Sequence, residues 1–99
     1  MRTVRSYVGY AIKSRQVLLG VNNIVGAFGK KVPAVVLYDE GLGESSKDKL
    51  LTFVEKNGIE SFSLCIEDVY PDKNCKAIGV FEKNLATAII NRIRSLQNE

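Results

Sequence analysis

The sequence predicts one layered α/β domain, on three observations. Segments with helical spacing of apolar residues alternate with short apolar runs along the whole chain, every connection between them is short, and no internal repeat or low-complexity tract interrupts the pattern. A chain of 99 residues, 45% hydrophobic and 25% charged, has the size and composition to fold around its own core without a metal or disulfide staple.

Val4, Tyr7, Val8, Ala11 and Ile12 recur at i, i+3, i+4, i+7 and i+8, the spacing of one buried helical face. "QVLLG" follows as a brief strand closed by Gly20. Asn22 or Asn23 is a good N-cap for a short helix reaching about Phe28, with Gly29 in place to end it. "PAVVLYD", Pro33 to Asp39, is a continuous apolar run whose length favours a buried central strand. After the glycine-bearing loop "EGLGESS", Ser45 is expected to cap a helix with Asp48 three residues on, Leu50, Phe53 and Val54 on its inner face, and Asn57-Gly58 as its stop. "SFSLCI" reads as a third strand, "EDVYPDKN" as a short helical turn broken at Pro71, and "CKAIGVF" as a fourth strand. From Asn84 to about Leu96 a final helix turns Leu85, Ile89, Ile93 and Leu96 inward, and Arg92 and Arg94 suit the negative pole of its dipole.

Composition narrows the chemistry. No apolar run approaches the roughly 18 residues of a membrane span, and "MRTVRSYVGYAIK" lacks a signal-peptide core, so a cytoplasmic protein without a membrane partner is expected. Cys65 and Cys75 stand apart with no CxxC spacing and read as small core hydrophobes. Histidine is absent, which removes Ser-His-Asp and Cys-His activation and the commonest zinc ligand together. Asp39 and Glu40 sit at a strand end beside a glycine loop, where α/β enzymes hold carboxylates, but no base or second acidic cluster accompanies them. Neither catalysis nor a cofactor or metal is expected.

Charge is unevenly distributed. Against a net +3, residues 1 to 33 carry Arg2, Arg5, Lys13, Arg15, Lys30 and Lys31 and no acid, a local +6, while the remainder sums to −3. A basic segment beside an acidic remainder suits a domain that presents one face to a polyanion. Part of that segment, "GVNNIVGAFGKK", concentrates glycines, asparagines and lysines, yet fits no phosphate-loop signature. Gly29 precedes Lys30, but residue 24 is Ile and residue 31 is Lys, so the Walker pattern fails, and the glycine spacing also misses the dinucleotide fingerprint.

The order of elements, with "LLGVNNIVGAF", "VVLYDE" and "AIGVFEKNLATAI" as anchors, resembles the ribosomal L-seven-Ae and L-thirty-e superfamily, particularly its small bacterial ribosomal-protein-like homologues, from about Tyr7 to Ile93. The resemblance implies a three-layer α/β/α sandwich with a mixed four-stranded sheet, and an RNA-binding protein of the ribonucleoprotein type, above all a kink-turn binder. In that family the loop and N-terminus of the second helix meet the RNA, since backbone N–H groups attract phosphate and amide side chains reach exposed base edges. Gly20 and Asn22 match the family motif; Asn23 stands where the family usually has Glu, and Gly26 where it usually has Lys. Lys30, Lys31, Lys13 or Arg15 would replace the missing cation if they shared that face. "EDVYPDKNC" is shorter than the family's corresponding segment and lacks its Leu-Gly-x-Ala-x-Gly motif. With these departures, general binding of structured RNA or the ribosome, as a monomer, is the expectation.

Plainer uses compete at each position. The asparagines serve equally as helix caps, the glycines as turns, and Lys30 and Lys31 as a solvated loop pair. Of the tyrosines, Tyr7 shares the inner face of the first helix, whereas Tyr10 lies opposite and is better placed to meet a base. The alternative to an RNA binder is a non-catalytic protein-interaction module that keeps the fold and has lost the RNA contacts.

Overall fold

A computed structural model describes residues 2–27, 32–70 and 75–97. The chain runs α1 (Arg2–Lys13), β1 (Val17–Leu19), α2 (Val21–Val25), β2 (Val35–Asp39), α3 (Glu44–Lys56), β3 (Glu60–Leu64), α4 (Ile66–Val69), β4 (Ala77–Val80) and α5 (Lys83–Gln97). The strands form one mixed sheet in the order β1-β4-β2-β3. β4 is antiparallel to both β1 and β2, and β2 is parallel to β3, the pairing that the α3 crossover between them allows.

Side-chain alternation along the central strands divides the core in two. Val35 and Leu37 of β2 and Ile78 and Val80 of β4 face a cluster completed by Val4, Val8 and Ala11 of α1, Ile66 and Val69 of α4, and Ala86, Ile89 and Ile93 of α5. Val36 and Ala77 point the other way, against Ile24 of α2 and Leu50 and Val54 of α3. Helices therefore cover both faces, giving the three-layer α/β/α sandwich. α2 lies close over β4 because β4 offers only Ala77 and Gly79 on that side. A Cβ on Gly79 would stand 2.7 Å from Pro33 Cγ and 3.4 Å from Ile24 Cγ1, so the bare Cα makes the space that Pro33 and Ile24 fill.

Most elements fall where apolar spacing predicts them. Phe53, Leu85 and Leu96 are only half-buried, at the margins of faces led by Leu50 and Val54 in α3 and by Ala86, Ile89 and Ile93 in α5. Helix ends depart further. Neither Asn22 nor Asn23 caps α2: Gly20 is the N-cap, at φ 94°, and the helix ends at Val25 with Gly26 as its C-cap. Phe28 and Gly29, and the break expected at Pro71, lie outside the described residues. Ser45 is not a cap either, since α3 starts one residue earlier, after Gly43. The cap that sequence reading missed is Glu82, whose carboxylate accepts from the backbone N–H groups of Asn84 (3.1 Å) and Leu85 (2.6 Å) at the start of α5. α3 closes as expected, with Asn57 as C-cap and Gly58 at φ 64°. Arg94 donates to Glu60 of β3 at 2.7 Å, so it ties α5 to the sheet edge besides lying in the last turn of its helix.

Asp39 is spent on structure. Its Oδ2 accepts from Gly41 N at 2.8 Å and its Oδ1 from Ile66 N at 3.0 Å, joining the turn after β2 to the start of α4. These bonds, Ile66 first, hold its carboxyl below the ordinary aspartate value against a small opposing effect of burial, with Lys76 assisting. The cysteines behave as core residues to different degrees: Cys75 is buried with Sγ donating to Ala77 O at 3.2 Å, and Cys65 is half-buried.

Candidate functional site

Gly20 sets the geometry of the β1–α2 turn. Its N–H donates to Ala77 O at 2.8 Å, ending the β1–β4 ladder, and its positive φ turns the chain so that α2 begins at the next residue. An L side chain at that φ is strained although nothing stands within 4 Å of its Cβ position, so the demand is one of backbone conformation. The turn leaves Asn22 and Asn23 both exposed on the first turn of α2, while Ile24 is driven into the core.

The asparagines have distinct partners. Asn23 Nδ2 donates to Leu19 O at 2.8 Å, which fixes the amide over the end of β1. Asn22 Oδ1 accepts from Lys49 Nζ of α3 at 3.4 Å. Lys49 therefore supplies a cation beside α2, and sequence reading missed it because the contact crosses from one helix to another. A signal was present in α3, where Ser45, Lys49, Thr52 and Lys56 recur at i, i+4, i+7 and i+11, while Glu44, Asp48 and Glu55 gather on a different side. The contact with Asn22 brings Lys49 of that stripe beside α2. α2 itself is only five residues long and contributes little dipole, so amide and ammonium groups carry the electrostatics of this face.

The sequence-predicted residues divide into groups. Gly20, Asn22, Asn23 and Gly26 stand together on α2 and its flanks. Lys13 and Arg15 precede β1, and α1 packs on the opposite face of the sheet from α2, so these two do not join the asparagines. Arg15 has φ 59° and ends α1: its N–H donates to Ile12 O at 3.1 Å and that of Gln16 to Ala11 O at 2.9 Å. Lys30 and Lys31 lie outside the described residues.

No protein-family model matches the chain, and no curated protein does. A solved structure of a Bacillus halodurans C protein of unknown function is similar, with a TM-score of 0.81 at 21% identity over 92% of this chain and 96% of that one. At that identity the likeness shows the α/β fold. No helix among the described residues is long and apolar enough to cross a membrane.

Proposed function

We propose that this chain is a non-catalytic RNA-binding protein that grips structured RNA, free or in the ribosome, through the seam between α2 and α3. The observation that carries the reading is the exposed trio of Asn22, Asn23 and Lys49, with Lys49 Nζ 3.4 Å from Asn22 Oδ1 on a face where α2 has no acid. Ammonium and amide groups side by side match a nucleic acid in kind: the cation meets a phosphate, and the amides offer donors and acceptors to base edges opened by a bend or bulge. The resemblance of "LLGVNNIVGAF" to the L-seven-Ae motif supports the same site, and the shared three-layer architecture is compatible with it. Asn23 in place of Glu and Gly26 in place of Lys argue for a weaker kink-turn preference than the family's, with phosphate contact supplied from α3. The protein works in the cytoplasm on this reading, where such RNA is found.

Nucleic acid that co-purifies with the protein tests the reading. It should appear as a high 260-to-280 nm absorbance ratio that a high-salt wash removes, because phosphate contacts weaken steeply with salt. A ratio typical of protein alone, together with no binding of added structured RNA at low salt, would leave a protein-interaction module as the better account.

A further inference from the structure

We infer that the outward face of α1 is a second RNA contact, built to stack an unpaired base. It lies across the sheet from the α2–α3 seam and rests on the RNA-binding reading only for the class of its partner.

Arg5, Ser6, Gly9, Tyr10 and Lys13 line a shallow open depression along this face. Their spacing places them on one helical stripe, and the two ends carry the cations. Tyr10 is 65% exposed, the one exposed large hydrophobic among the described residues. Gly9 has no structural reason to be glycine. It sits inside a helix, where glycine is among the poorest formers, and nothing lies within 4 Å of where its Cβ would be. What the missing side chain does provide is open floor beside the Tyr10 ring.

A flat group that lies over Gly9 and against Tyr10, with negative charge on both flanks, fits this depression. An unpaired nucleotide has that form: its base stacks on the aromatic ring, and the phosphates on either side reach Arg5 and Lys13, about 12 Å apart along the helix axis. α1 carries no acid to oppose them. A protein partner is disfavoured by composition, because an interface core needs several apolar side chains together and this face has one tyrosine among cations and small residues. The occupant is therefore a single-stranded segment of RNA, such as a loop or flank beside the structured part held at the seam.

The test uses the intact protein and two labelled RNAs: a single-stranded octamer of mixed sequence, and a kink-turn RNA with blunt paired ends. Tyr10→Ala should weaken octamer binding by about tenfold or more, and Tyr10→Phe should keep it, since stacking needs the ring and not the hydroxyl. Gly9→Gln should also weaken octamer binding while leaving the melting temperature unchanged or higher, which separates loss of the floor from loss of the fold. Tyrosine fluorescence should be quenched on octamer binding in wild type and much less so in Tyr10→Phe. Unchanged octamer affinity in Tyr10→Ala overturns the inference, and if the kink-turn RNA still binds in a Lys49-dependent way, the reading of the seam survives alone. Absence of binding to either RNA overturns both. A change from dimer to monomer on Tyr10→Ala would assign the face to a second copy of the chain and overturn the inference as well.

Discussion

Lys49 Nζ and Asn22 Oδ1 stand 3.4 Å apart, bringing together side chains 27 positions distant in the chain. Both are exposed, so the contact adds little to stability and its interest lies in what the pair presents to solvent. The core beneath positions them: Ile24 of α2 and Leu50 and Val54 of α3 belong to one buried cluster, which fixes the two helices against the sheet and against each other.

Gly79→Ala should be destabilising far beyond an ordinary glycine substitution. The new methyl would stand 2.7 Å from the Pro33 ring, which has no flexible end to swing away, so the backbone must shift. Overpacking of this kind costs about 1–3 kcal/mol. Urea unfolding should show that loss, whereas Gly9→Ala, with nothing in the way, should be neutral or stabilising.

Asp39→Ala should cost about 1–2 kcal/mol at neutral pH, the worth of hydrogen bonds to a half-exposed charged acceptor. The Asp39 carboxyl is held below 3.8 in the folded chain, so its contribution is complete above that value and is lost as pH falls through the lower folded one. Chemical unfolding from pH 7 downward should therefore find a constant gap between wild type and variant that narrows only below about pH 4. A gap that instead shrank between pH 7 and 5 would trace to some other group.

Arg15→Gly should stabilise the protein. Arg15 holds a left-handed conformation at φ 59° at the end of α1, a position where glycine escapes the clash with its own Cβ. A gain of about 0.5–1 kcal/mol is expected after glycine's greater entropy in the unfolded chain is counted. Thermal melting checks it, and affinity for the kink-turn RNA should be nearly unchanged because Arg15 does not reach the seam.

The double variant Asn23→Glu, Gly26→Lys places on α2 the acid and the cation of the L-seven-Ae motif that "LLGVNNIVGAF" resembles. Two features oppose it: the Asn23 bond to Leu19 O is lost, and a Cβ at Gly26 would stand 3.2 Å from Asn22 O, which must yield by a few tenths of an ångström. A stability loss of about 1 kcal/mol is expected. A new charged hydrogen bond is worth roughly 1.5–3 kcal/mol, so preference for a kink-turn RNA over a straight duplex should rise on the order of tenfold or more. Affinities for both RNAs at fixed salt give the ratio. If it does not move while the protein remains folded, α2 does not read the RNA bend.

Apolar spacing made the layers legible. Val4, Val8 and Ala11 announce the inner face of α1, and the unbroken Val35, Val36 and Leu37 run announces a strand covered on both sides. Helix starts were less legible because capping propensity is local and weak. Asn22, Asn23 and Ser45 are all good caps, but the chain was already turned into helix by Gly20 and Gly43. Half of the candidate seam, Gly20 with the asparagines, could be named from sequence. Lys49 showed only as part of a polar stripe on α3, because its place beside Asn22 depends on how α2 and α3 pack together through Ile24, Leu50 and Val54, residues from separate parts of the chain.

The most direct test is the salt dependence of RNA binding by wild type and Lys49→Ala, measured with the kink-turn RNA and a straight duplex of equal length. Lys49 is exposed, so the variant should keep its melting temperature within the equivalent of about 0.5 kcal/mol. The logarithm of the wild-type association constant should fall linearly with the logarithm of salt concentration, and Lys49→Ala should weaken both RNAs alike and flatten that slope by about one. Binding that ignores salt, or an unaltered slope in a folded Lys49→Ala protein, would contradict a phosphate contact at the α2–α3 seam.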